Sequence, residues 1–335
     1  MLLVAALAVL VVAAGACGDA STDDASDSAA TPETSSTSEG AFPLSVEHAL
    51  GTTEIETAPE RIVALDMSLV DPVLALDLEL VGYTTFSDPD GPLPDHFGEA
   101  IEEHASEAAW VGDLSTPNLE AIAVLDADLI VTAAVRHEAL YDQLSAIAPT
   151  VMSDSAGGGW KDSLRLVAEA TDRTEQAEAL IGAYEQRAAE VGAAINGTAG
   201  DPTVSVVRFV DAIRLYQPTS FSGTVLADAG ISRPESQQDP DDFITVVSEE
   251  ELALADADVL LYTVYEHEDI ESYVAGLRER PLWTSLGAVQ RGDVHAVSDA
   301  TWMSGVGIFG AHEILDDLAD IFSTDPFPTD PEEHP

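Results

Sequence analysis

The sequence is short of positive charge. Its 335 residues hold 12 Lys+Arg against 62 Asp+Glu, a formal net charge of -50, and Lys161 is the single lysine. A chain this acidic does not bind nucleic acid by neutralising phosphates. Nor is it held on an anionic membrane by basic residues. A Lys-poor, carboxylate-rich composition is expected of a solvation-adapted surface such as a salt-loving organism makes. Cysteine is nearly absent: Cys17 stands alone, which excludes an internal disulfide. Long apolar runs are scarce too. Leu2 to Ala14 is almost continuously apolar, yet too short to span a bilayer comfortably. It has the length of a signal-peptide apolar region.

That leader ends in Gly15-Ala16-Cys17. A small-small-Cys ending resembles a bacterial lipoprotein signal, which is cleaved before the cysteine that then carries the lipid. The resemblance implies a signal peptide over 1–16 and lipidation at Cys17. Ala14 stands where the pattern more often has Leu, and no Lys or Arg follows Met1. Residues 18–41 contain ten Ser/Thr and six Asp/Glu, with no core former larger than Ala. Such a segment cannot offset its ordering entropy, so 17–41 is expected to be a disordered tether. The acidic, Pro-rich end, 325–335, is expected to fray.

The body is 46% hydrophobic over the whole chain's count, enough for two cores. Its two halves share a pattern. Asn118 to Val131 reads as helix, Asp126-Ala127-Asp128, then buried strand. Ser248 to Leu261 repeats it around Asp256-Ala257-Asp258. Earlier in each half, a strand (Arg61–Asp66; Thr203–Phe209) precedes a helix (Asp71–Leu78; Ser222–Ile231). Alternating strands and helices imply parallel sheets covered on both faces. Between the halves, Ala177, Leu180, Ile181, Tyr184, Ala188 and Val191 keep helical spacing, with Asp172 and Glu175 as an N-terminal capping pattern. The expected architecture is α/β: a lobe over 42–171, a linking helix over 172–197 and a lobe over 198–324. A ligand cleft would lie between the lobes, outside the carboxyl ends of the strands.

The chain at this point resembles the solute-binding lipoproteins of bacterial ABC importers for iron–siderophore complexes, a class that includes vitamin B12 and haem binders. The likeness is carried by Val46-Glu-His-Ala-Leu-Gly-Thr-Thr53, Ala58-Pro-Glu-Arg-Ile-Val63, Pro117-Asn-Leu-Glu-Ala-Ile122 and Ala148-Pro149-Thr150. It continues through Val204–Phe209 with Arg214-Leu-Tyr216, then Pro281–Val289, and Gly292–Val297 followed by Trp302. The resemblance implies two Rossmann-like lobes with parallel sheets joined by one long rigid helix, the class III periplasmic binding protein fold. It implies a Fe(III)–siderophore ligand, an ABC permease partner, a lipid anchor on the outer face of the cytoplasmic membrane, and no catalysis or cofactor. A monomer outside the permease is expected. Cobalamin or haem is the alternative ligand.

Ferric siderophores are often anionic and planar, which suits Arg, whose guanidinium donates paired hydrogen bonds and stacks on flat faces. The candidate ligand residues are Arg208 near the end of the first C-lobe strand, Arg136 after the strand ending at Val131, Tyr216, Trp302, Tyr262 and Met67. Asp66 shares the rim with Met67, and Tyr265 the strand end with Tyr262. Arg214 reads as a surface partner of its hairpin, and His137 as a solvated loop residue. The resemblance also implies one acidic permease contact per lobe, at Asp71 and Glu250. The eight histidines are scattered, with no pair three or four apart, which disfavours bare-metal capture. A secreted hydrolase is disfavoured by the absence of a Gly-x-Ser-x-Gly elbow and of a body cysteine. Gly157-Gly-Gly159 reads as a flexible loop.

Overall fold

The computed structural model describes residues 42–85, 92–265 and 268–328. The leader, Cys17, the tether to residue 41 and the tail beyond 328 lie outside the described residues. A hairpin of β1 (Leu44–His48) and β2 (Gly51–Ile55) precedes the first sheet. That sheet holds β3 (Ile62–Ala64), β4 (Leu80–Thr85), β5 (Ala109–Asp113), β6 (Thr116–Pro117), β7 (Leu129–Ala133) and β8 (Thr150–Ser153), in the order β6-β5-β4-β3-β7-β8. The second sheet holds β9 (Val204–Phe209), β10 (Ile213–Tyr216), β11 (Ile244–Val247), β12 (Val259–Val264) and β13 (Val294–Ala296), in the order β11-β10-β9-β12-β13. The chain is α/β, with one such sheet in each lobe.

Neither sheet is wholly parallel. β6 runs against β5, and β10 runs against both β9 and β11. Three residues join β9 to β10, too few for the crossover that a parallel strand requires. This antiparallel return places Arg208, Arg214 and Tyr216 along one cavity wall.

The Asp-Ala-Asp turns do the same work in both lobes. Asp128 Oδ2 accepts the backbone N–H of Glu60 and Arg61 just ahead of β3. Asp258 Oδ2 accepts the backbone N–H and hydroxyl of Thr203 just ahead of β9. Each carboxylate clasps the start of the neighbouring strand, which holds Asp258 below the ordinary carboxylate range through those hydrogen bonds.

Side-chain alternation along the strands divides the apolar residues into separate cores. Val204 and Val206 of β9 join Leu261 of β12 in the central core, with the linking helix. Val207 and Phe209 join Leu260 and Tyr262 in an outer C-lobe core. Val63, Ile130 and Met152 belong to an outer N-lobe core.

The linking helix runs Thr174–Ala199, 26 residues, or about 39 Å. Asp172 does not cap it. Asp172 instead closes the preceding helix Trp160–Thr171 in the left-handed conformation, and the link starts after Arg173 without a side-chain cap. The helix also runs past Asn196-Gly197 to Gly200, where φ is +77°. Gly192 lets it approach the C-lobe, because a Cβ there would lie 1.6 Å from the Ala229 carbonyl oxygen.

The last helix, Ile308–Phe322, returns to pack on the link. Its N-terminus is received by Asp71, in the first helix Met67–Ala75. The permease-contact expectation for Asp71 therefore fails. Its side chain is buried, and its oxygens accept the N–H groups of Ile308 at 2.7 Å and Phe309 at 3.1 Å. A carboxylate spent on orphan helix donors cannot also meet another protein's Arg. Among the described residues no helix is long and apolar enough to cross a membrane.

Candidate functional site

Two adjoining cavities, about 260 and 600 Å³, share Arg136, Ala156, Gly157 and Phe243. The smaller is lined by Asp66 and Arg136 from the N-lobe and by Arg208, Arg214, Tyr216 and Trp302 from the C-lobe side. The larger opens between Val135 and Phe243, both well exposed apolar side chains. The site therefore has a charged inner end and an apolar mouth.

Arg208 sits on the inner face of β9, one residue out of phase with the outer core. Its Nε and Nη2 donate to the two oxygens of Asp299 at 2.8 and 2.7 Å, and Nη1 donates to the Tyr216 hydroxyl at 3.2 Å. Asp299 is itself held by the Thr263 hydroxyl at 2.9 Å. Burial opposes the charge on Arg208, but the Asp299 and Tyr216 contacts outweigh it and raise its pKa. The guanidinium has five N–H donors, so two remain after these three bonds. Because Tyr216 accepts from Arg208, its own hydroxyl hydrogen is available to an anion.

On the opposite wall, Arg136 Nε donates to Asp66 Oδ2 at 3.1 Å. Asp66 also caps the first helix through Ser68 N–H. One carboxylate thus starts a helix and aims a cation. Arg136, Arg208 and Tyr216 are brought together as the sequence led one to expect.

Other candidates are corrected. Tyr262 points away from the cavity, into the outer core, edge-on to Phe209 and Trp283. The strand end was located correctly, but strand parity sends Tyr262 outward and Thr263 inward, level with Arg208. Tyr265, past the strand, lies with its ring 5.7 Å from the Arg208 guanidinium carbon. Met67 is buried in the central core and does not line the cavities, while its neighbour Asp66 does. Trp302 borders the inner cavity but is fully buried, its indole N–H donating to Asp317 at 2.7 Å. It is a wall that carries no polar contact to spare. His137 is buried, not solvated: Nε2 donates to the Leu114 carbonyl, Nδ1 pairs with the Thr132 hydroxyl, and burial lowers its pKa.

Two contributors escaped the sequence reading, Asp299 and Phe243, and Arg214, read as a surface partner of its hairpin, lines the inner cavity. Asp299 was one of 62 carboxylates. Phe243 lies in an irregular acidic stretch without periodicity. For Arg214 a signal existed: it is i+6 from Arg208 across a short turn, so a hairpin could bring both to one face. Gly157-Gly-Gly159 is also part of the site. A Cβ on Gly158 would lie 2.1 Å from the Thr219 backbone oxygen, so glycine permits the lobes to touch there. Gly158→Ala is expected to cost about 1–3 kcal/mol through overpacking, read as a lower urea midpoint with an unchanged slope.

Two α/β lobes on one long helix, with cations converging between them, describe a ligand clamp. The family model for "Periplasmic binding protein" matches residues 62–300. The chain belongs to the periplasmic binding protein family. This binding protein is 36% identical over 288 residues to the probable siderophore-binding lipoprotein YfiY of Bacillus subtilis (strain 168), covering 83% of this chain and 87% of that one. It is 28% identical over 293 residues to the Fe(3+) dicitrate-binding periplasmic protein FecB of Escherichia coli (strain K12), covering 85% and 92%. The crystal structure of Staphylococcus aureus SirA complexed with staphyloferrin B superposes with a TM-score of 0.76 at 29% identity, over 84% of this chain and 99% of that chain. The binding protein thus has the class III architecture, two lobes on a rigid link.

Proposed function

We propose that this binding protein captures an Fe(III)–siderophore complex between its lobes and delivers it to an ABC permease. One observation carries the reading: Arg136, Arg208 and Arg214, three of the chain's 12 cationic side chains, line a single enclosed space. Elsewhere the surface is dominated by carboxylates, so three guanidinium groups gathered around one space favour an anion there. Relatives named for siderophore and ferric citrate binding support the ligand class. The iron arrives already chelated. Among the described residues no three His, Cys, Asp or Glu side chains are placed to hold a metal ion. In this reading the protein makes and breaks no covalent bond.

Capture takes place outside the cytoplasmic membrane, with Cys17 as the lipid anchor and residues 17–41 as the tether. Relatives named as lipoproteins and periplasmic proteins support that location. Glu250, exposed on the turn that follows β11, is the permease contact of the C-lobe. Glu250→Arg is expected to leave ligand affinity unchanged and to slow iron uptake by cells. Normal uptake would remove Glu250 from the docking surface.

Tryptophan fluorescence tests the ligand class, since Trp302 borders the inner cavity. Titration with ferric citrate, a ferric tris-catecholate, a ferric tris-hydroxamate, haem and cobalamin is expected to give saturable quenching with a ferric chelate. Saturation by haem or cobalamin alone would overturn the siderophore reading and keep the importer role.

A further inference from the structure

Arg208 and Arg214 are direct cross-strand partners in the β9–β10 hairpin. Residues opposite each other in an antiparallel pair project to the same face, and like charges there repel. Both line the inner cavity. Nothing about the fold requires this pairing, because a single cation would leave the hairpin better off.

The two cations are compensated unequally. Arg208 holds the buried Asp299 in a two-bond pair. Among the described residues Arg214 pairs only with Asp211, whose side chain is 73% exposed and therefore screened by water. Arg214 Nε is buried and finds no hydrogen-bond partner among the described residues. A buried N–H without an acceptor is costly, so a rotation of this partly exposed side chain that brings the guanidinium to an acceptor in the cavity is favoured. Behind β10, Arg233 adds a further charge. It is 7% exposed, donates to the Tyr216 carbonyl and to Gln237 Oε1, and meets no carboxylate among the described residues.

We propose that Arg208 and Arg214 form a clamp for projecting carboxylates, and that the captured siderophore is of the hydroxycarboxylate class. This rests on the siderophore reading above and names its chemistry. A ferric tris-hydroxamate carries no net negative charge, so it would desolvate two adjacent guanidinium groups without compensating them. A tris-catecholate is anionic, but its oxygens are bonded to iron and fixed on rings. Each already shares a lone pair with the metal, so it accepts from a guanidinium more weakly than a free carboxylate oxygen does. A carboxylate on a chelate arm is narrow, carries a full charge, and matches the guanidinium fork.

The test is titration of the full protein and of two variants, Arg214→Gln and Arg214→Lys, with three probes: ferric citrate, a ferric tris-catecholate and ferrioxamine B. The wild type is expected to prefer ferric citrate. Arg214→Gln should weaken that affinity about 10- to 100-fold, the size of a lost charged hydrogen bond. Arg214→Lys should fall between, because it keeps the charge and loses the fork. Without ligand, Arg214→Gln should melt no lower than the wild type, since the substitution removes a repulsion. Tighter binding of the catecholate or hydroxamate, with Arg214→Gln without effect, would overturn the clamp and leave siderophore capture standing. Binding of none of the three would overturn both.

Discussion

Arg208→Ala is expected to abolish capture of the ferric complex and to cost the ligand-free protein about 3–5 kcal/mol of stability, the usual penalty for breaking a buried ion pair from one side. The size follows from Asp299. Its side chain is 7% exposed, and among the described residues removal of Arg208 leaves its side chain only the Thr263 hydroxyl. An uncompensated carboxylate would then stand behind the position that Arg208 held in the cavity wall. Loss of a ligand contact and gain of a repulsion act together. The double variant Arg208→Met with Asp299→Leu separates them. Replacing a buried pair by apolar side chains is commonly neutral or stabilising, so its unfolding free energy should return close to wild type. Binding should stay lost. Urea denaturation gives the first quantity and fluorescence titration the second. A fully stable Arg208→Ala would show that Asp299 is not buried against Arg208 in solution. Unchanged affinity would remove Arg208 from the site.

Asp71→Ala is expected to cost about 2–4 kcal/mol, because the N–H groups of Ile308 and Phe309 would lose their acceptor at a buried helix start. The same carboxyl gives stability a pH dependence of unusual sign. Desolvation raises its pKa from 3.8 to about 7, against the lowering effect of the backbone donors at Ile308, Phe309 and Gly310. Between those two values the native state keeps the proton and the unfolded state does not. This group's contribution is therefore present at low pH and is lost as pH rises through about 7. Asp71→Asn removes that titration while keeping the shape. Relative to the variant, the wild type should lose about 2–3 kcal/mol between pH 5 and pH 8. Other carboxylates cancel in the comparison, so denaturant midpoints of the two proteins at both pH values are sufficient. A constant difference would mean that Asp71 is ionised throughout. Gly307 serves the same junction: a Cβ there would fall 1.9 Å from the Asp71 carboxyl carbon.

Much was legible without coordinates. The paired Asp-Ala-Asp turns marked two related lobes because each needs a carboxylate to close the start of a strand. The helical spacing from Ala177 to Val191 marked the link because one face of it is buried along its whole length. Arg208, Arg136 and Tyr216 stood out because cations and aromatics at strand ends are rare in so acidic a chain. The helix start at Asp66 was blurred, since Asp71 offered an equally good acidic residue one turn later.

Composition and spacing thus determined the two-lobed α/β plan, and the order of short motifs carried the resemblance that named the class. These are sums and periods, and they do not depend on which atoms meet. Tertiary structure alone decided the rest. Strand parity turned Tyr262 into core and Thr263 into a support for Asp299. The return of the last helix converted Asp71 from a candidate docking group into a buried cap. The antiparallel β10 set Arg214 opposite Arg208. In each case the outcome rests on a contact between residues distant in the chain or on opposite sides of a turn. Residue type names the chemistry available, and only packing says which partner consumes it.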